Sequence, residues 1–203
     1  MAMRRVSRAL LEPCGCATLA MGCAVLGLIL RVKAIMMTPQ TEWPAVANEF
    51  DDAASIRYIA ILALIPALAR LIGGWLIGGY TPFLTALIGA MVAYALSFVL
   101  VSAVALVVDL LAPRFGGQRS YSNALRLTAY SFTPVWLVGI VLLVPGASFL
   151  VLLGLYGLYL MWIGMPVMMG SSKHKSLLYV VAVAVGAIAL DAAARIALVS
   201  ALS

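Results

Sequence analysis

Five long apolar runs, at 56–78, 83–108, 124–144, 147–169 and 177–199, dominate this sequence. Each has the length of about 20 residues that a helix needs to cross the hydrocarbon core of a bilayer. Lipid leaves no backbone polar group a water partner, and a helix satisfies those groups internally. The runs therefore predict an all-α fold, a polytopic bundle of five transmembrane helices. Composition agrees, at 65% hydrophobic and 10% charged residues, where soluble domains carry roughly 45–50% and about 25%.

The formal charge is +6, but the basic residues stand at the ends of the apolar runs. That placement marks orientation in a membrane rather than a nucleic-acid footprint. With the long N-terminal segment inside, the inner loops hold Arg31, Lys33, Arg57, Arg114, Arg119, Arg126, Lys173 and Lys175. The turns at 79–82 and 145–146 hold no Lys or Arg. This asymmetry predicts a multi-pass protein of the cell (inner) membrane with its N-terminus cytoplasmic and its C-terminus outside. Any partner-facing surface is then expected on the inner side, where the longer loops lie.

Ahead of the bundle, residues 1–30 read as an extension, either dispensable or acting as a signal anchor or a short extra apolar helix. Arg4, Arg5 and Arg8 precede an apolar run over 14–30, and Arg31 and Lys33 follow it. The cysteines, Cys14, Cys16 and Cys23, all lie in this stretch, so no disulfide framework reaches the main body. Residues 31–55 read as a cytoplasmic interfacial segment. Thr38 before Pro39 suits a helix start, and Trp43 suits the headgroup level. Residues 56–200 form the five-helix membrane domain. Its first span carries Pro66, Arg70 and the pair Gly74 and Gly78, four apart, a spacing that lets helices approach closely. Its second is expected to end at Asp109, and Pro145-Gly146 makes a tight turn between the third and fourth.

Three stretches together resemble the Yip family, the Ypt/Rab-interacting proteins, in its bacterial branch. They are RVKAIMMTPQTEWPAVANE (31–49), ALRLTAYSFTPVWLVGI (124–140) and LYGLYLMWIGMPVMM (155–169). The resemblance covers roughly residues 31–200 and is distributed rather than carried by one motif. It implies a five-helix membrane bundle with a cytoplasmic N-terminus. Eukaryotic members associate with prenylated Rab GTPases and act in membrane trafficking; their long cytosolic N-terminal region, with its Asp-Leu-Tyr-Gly-Pro type motif, has no equivalent here. The run from Asp109 to Pro113 falls after the second span, and its likeness to that motif is coincidental.

Two groups of residues stand out as candidate sites. Arg70, Asp191 and Arg195 are ionisable groups inside spans, where each charge costs about 2.5–3.5 kcal/mol on insertion scales. Asp191 and Arg195 are four apart on one helix and can meet. Arg70 and Asp191 are each the fifteenth residue of their spans, so a shared cluster is allowed. It reads either as a structural charge pair or as a substrate or ion site. The second group is Tyr130, Ser131 and Thr133 just before Pro134, a kink whose freed carbonyls nearby hydroxyls can satisfy. It reads either as packing or as a polar pocket.

For catalysis the sequence has neither an H-E-x-x-H zinc motif nor a G-x-S-x-G elbow. His174 lies between Lys173 and Lys175 in a loop. Two cysteine thiolates at 14 and 16 fall short of the four ligands of a structural zinc site. No catalytic residue, metal or cofactor is assigned. The expectation is a non-enzymatic membrane scaffold whose partners are membrane lipids, other membrane proteins or further copies of itself, and not nucleic acid. The alternative is a small oligomeric transporter or channel subunit using the intramembrane charges.

Overall fold

The computed structural model describes residues 17–48, 52–77, 82–140 and 155–202. The chain divides into two units, Met1–Thr38 and Pro39–Ser203. In the first, helix α1 (Ala17–Met37) runs unbroken through position 30, where the sequence placed a boundary. The reason is local: Arg31 and Lys33 are good helix formers and no proline intervenes. The helix closes where the Thr38 N–H and hydroxyl both donate to the Ala34 carbonyl, at 2.8 and 3.1 Å.

The second unit opens with α2 (Pro39–Ala47), whose proline occupies the first helical position as expected. There follow α3 (Asp52–Ile72), continued by a π-helical turn over Gly73–Ile77, and α4 (Phe83–Leu111). Next come α5 (Tyr121–Ser131), α6 (Thr133–Val138), α7 (Tyr156–Met169) and α8 (Lys173–Leu202). Every described element is helical. Among the described residues two helices, Ala53–Leu76 and Phe83–Phe115, of 24 and 33 residues, are long and apolar enough to cross a bilayer. The Pro145-Gly146 turn, and with it the junction between the third and fourth expected spans, lies outside the described residues.

Two boundaries differ from the sequence reading. Asp109 does not end α4: the helix continues to Leu111 and tightens into a 3₁₀ turn, Ala112–Phe115, that stops at Gly116 with φ of 77°. A single aspartate costs little helix propensity, whereas the left-handed conformation of Gly116 is a firm stop. The third run is also not one helix. It starts at Tyr121, where the Ser120 hydroxyl accepts the Asn123 N–H, and breaks at Phe132 ahead of Pro134.

Helix α5 is the hub of the unit, packing against α3, α4 and α7. Every residue from Arg126 to Ser131 is buried, although the helix is rich in polar side chains. Around it α3 pairs with α4 and α6, α7 with α2, and α8 with α4 and α7. Where α3 meets the end of α6, a Cβ on Gly139 would stand 2.6 Å from Pro66 Cβ. The absent side chain lets the two backbones approach at the proline.

Candidate functional site at the break between α5 and α6

The helix break arises from chemistry local to four residues. Pro134 has no N–H to give the Tyr130 carbonyl, so the α-helical ladder is interrupted there. The Phe132 N–H still reaches the Thr128 carbonyl at 2.9 Å, and the Trp136 N–H reaches Phe132 at 3.1 Å. Tyr130, Ser131, Thr133 and Pro134 are all buried at the break. Buried hydroxyls need partners, and α3 supplies one. Tyr58 and Thr133 share a hydrogen bond of 2.7 Å between their hydroxyl oxygens. One turn earlier the Thr128 hydroxyl donates to the Ala124 carbonyl at 2.8 Å.

An aromatic chain extends from the break. The Tyr58 and Tyr130 rings lie 4.6 Å apart between centroids, and the edge of Trp43 meets Tyr130 at 6.4 Å and 87°. Trp43 is fully buried, where the sequence had placed it at the headgroup level. The cause is Gly164 on α7: a Cβ there would stand 2.6 Å from both the Trp43 ring and Leu127 Cδ1. The missing side chain makes the seat for the indole. Pro39, Trp43 and Val46 are the buried residues through which α2 docks on α7.

Ser131 stands apart from this pairing. Its hydroxyl is buried and has no hydrogen-bond partner among the described residues. On its other side, a Cβ on Gly157 would stand 2.5 Å from the Ser131 carbonyl oxygen, so α7 passes close to the broken backbone.

A second polar group ties together one end of the bundle. Arg119 donates from Nε and Nη2 to Asp109 Oδ2, at 3.2 and 3.1 Å. The Asp109 side chain is 9% exposed and the Arg119 side chain 56%. The Gln118 N–H and the Asn123 side-chain amide donate to the Met169 and Met168 carbonyls, at 2.8 and 3.2 Å. These carbonyls belong to the last turn of α7, which has no helical donors of its own left to meet them. The Tyr179 hydroxyl donates to the Val108 carbonyl, and its ring stacks on Phe115 with centroids 4.8 Å apart. The loop after α4 is thus held to α4, α7 and α8.

The intramembrane charges are not brought into view as a set. Arg70 lies on α3 with its side chain exposed. Asp191 and Arg195 lie on α8, and their side chains are outside the described residues. The sequence reading missed Tyr58 and the Asp109–Arg119 pair, and it singled out Trp43 without its seat on α7. Glycines at 157 and 164 inside an apolar run were the available signal for close seats. Among the described residues no group of three or more His, Cys, Asp or Glu side chains gathers that could hold a metal ion.

Among the described residues the bundle is all-helical and has two apolar helices of bilayer length, which fits an integral membrane protein. A family model described as the Yip1 domain matches residues 17–193, and the chain belongs to that family. The match takes in α1, most of which lies ahead of the stretch carrying the sequence resemblance. No curated protein and no solved structure matches the chain.

Proposed function

We propose that the chain is a non-enzymatic scaffold of the bacterial cell membrane, acting in membrane organisation through contacts with lipids, other membrane proteins or further copies of itself. It crosses the bilayer five times, with the N-terminus in the cytoplasm and the C-terminus outside. The observation that supports this reading is how hydroxyls around the α5–α6 break are used. Tyr58 with Thr133, and Thr128 with its own helix, are engaged inside the bundle. They serve packing and do not line a path across it. The Yip family is not known for enzymatic activity, which agrees. Crosslinking in native membranes, followed by affinity capture of the full chain, tests the proposal. Reproducible co-purification of membrane proteins or a defined lipid set is expected. Selective solute or ion flux in vesicles holding only this protein would instead establish the transporter alternative.

A further inference from the structure

We propose that the cavity beneath the α5–α6 break holds an uncharged membrane lipid, seated with a hydroxyl or carbonyl oxygen innermost on Ser131. The cavity, of about 220 Å³, lies between α4, the α5–α6 break, α7 and α8. Its floor is Val104, Met161, Val183 and Ser131, all buried, while Leu155 and Ile188 at its mouth are 59% and 70% exposed. On this proposal the mouth faces the bilayer, which is then the reservoir of occupants.

Two features select the occupant. Among the described residues no charged side chain lines the cavity, so an ionised carboxylate or phosphate would find no counter-charge among them, at a cost of several kcal/mol. The one polar side chain is Ser131, 2% exposed and without a hydrogen-bond partner among the described residues. A buried hydroxyl left unmade costs about 1–3 kcal/mol, and an oxygen-bearing ligand removes that penalty.

Depth then narrows the class. Ser131 is the last residue of α5, which begins at the exposed Tyr121 beside the basic loop. Ten residues at 1.5 Å each place it about 15 Å along the helix axis, near the middle of a hydrocarbon core of about 30 Å. Glycerol esters tied to a charged headgroup do not sink so far, and the acyl chains that do carry no oxygen. A long-chain alcohol or ketone satisfies both conditions.

The inference goes beyond the scaffold reading but rests on the topology proposed with it, in which α5 enters the bilayer core near Tyr121. Its test uses the full chain in phosphatidylcholine vesicles and a hexadecanol probe bearing a diazirine beside its hydroxyl. Saturable labelling of the floor residues is expected, competed by plain hexadecanol. Ala187→Phe, or Ala187→Leu if the first variant is unstable, fills the cavity and should abolish labelling. Ser131→Ala should weaken binding roughly two- to tenfold, the share of one hydrogen bond, while the ligand-free protein is at least as stable as the parent. The proposal is overturned by labelling that does not saturate, the result of partitioning from the bilayer alone, or by no labelling of the floor, the result expected if the chain itself or a partner helix fills the cavity. It is equally overturned if Ser131→Ala binds as the parent does, or if a phosphatidylcholine probe with the diazirine on its acyl chain labels the same floor as well. None of these results alters which proteins the chain captures in native membranes, so the scaffold reading is judged separately.

Discussion

The indole of Trp43 occupies the space that a side chain at position 164 would need: a Cβ on Gly164 would stand 2.6 Å from the ring. A short helix just ahead of the bundle is thereby keyed to α7. Substituting Gly164→Ala should displace the ring and destabilise the protein by about 1–3 kcal/mol, as overpacking does. Trp43→Ala should cost about 3–5 kcal/mol through the cavity left behind. Combining them should cost less than the sum, because the second change relieves the clash of the first. Thermal unfolding in detergent reads all three, and strictly additive losses would refute the contact.

The pair formed by Tyr58 and Thr133 predicts a different coupling. Tyr58→Phe or Thr133→Val alone leaves one buried hydroxyl without its partner, costing about 1–3 kcal/mol. The double variant leaves neither and should lose little more than the worse single change. Unfolding midpoints of the four proteins measure this directly.

For Asp109 and Arg119 the prediction is one of order. Arg119→Gln strands a buried carboxylate, while Asp109→Asn leaves an exposed guanidinium in solvent. The first should therefore loosen the loop after α4 more, seen as faster proteolysis between 112 and 120. Adding Asp109→Asn to Arg119→Gln should restore protection. Equal cleavage of both single variants would show that the pair does not hold the loop.

The charges at 70, 191 and 195 remain a proposal with a defined test. The main neighbours of α3 are α4, α5 and α6, and those of α8 are α4 and α7. Pairing within α8 is therefore favoured over pairing across helices. Asp191→Asn should destabilise the bundle, and adding Arg195→Gln should recover part of the loss. Rescue by Arg70→Gln would point instead to the cross-helix pair. An Asp191→Asn protein as stable as the parent would remove the structural reading and favour transport.

Threading is tested without purification. A reporter fused after Ser203 should face outward and one inserted in the loop after α4 should face the cytoplasm. Finding both on one side excludes five spans.

Apolar length and basic flanks made the helical membrane character legible, because bilayer thickness and backbone hydrogen bonding act on composition alone. The break at Pro134 was legible for a similar reason: one residue carries its cause. Trp43 was not. Its burial depends on a glycine more than a hundred residues away, and sequence gives no register between α2 and α7. Asp109 misled because its partner Arg119 lies across a turn whose course depends on Gly116. Tyr58 escaped notice because a tyrosine in an apolar run has no pattern that separates a packed ring from a hydrogen-bonding one.

The burial of α5 bears on how the protein is made. A segment carrying Arg126, Thr128 and Ser131 is a poor candidate to leave an insertion channel sideways into lipid by itself, since arginine alone costs about 2.5–3.5 kcal/mol there. Helices α3 and α4, with far more apolar sequences, can enter first and wait. On that schedule α5 never solvates in lipid: it passes from the channel onto a surface already prepared by its neighbours. Biogenesis would then be ordered by polarity, and a chaperone holding α5 would matter most when α3 and α4 are late.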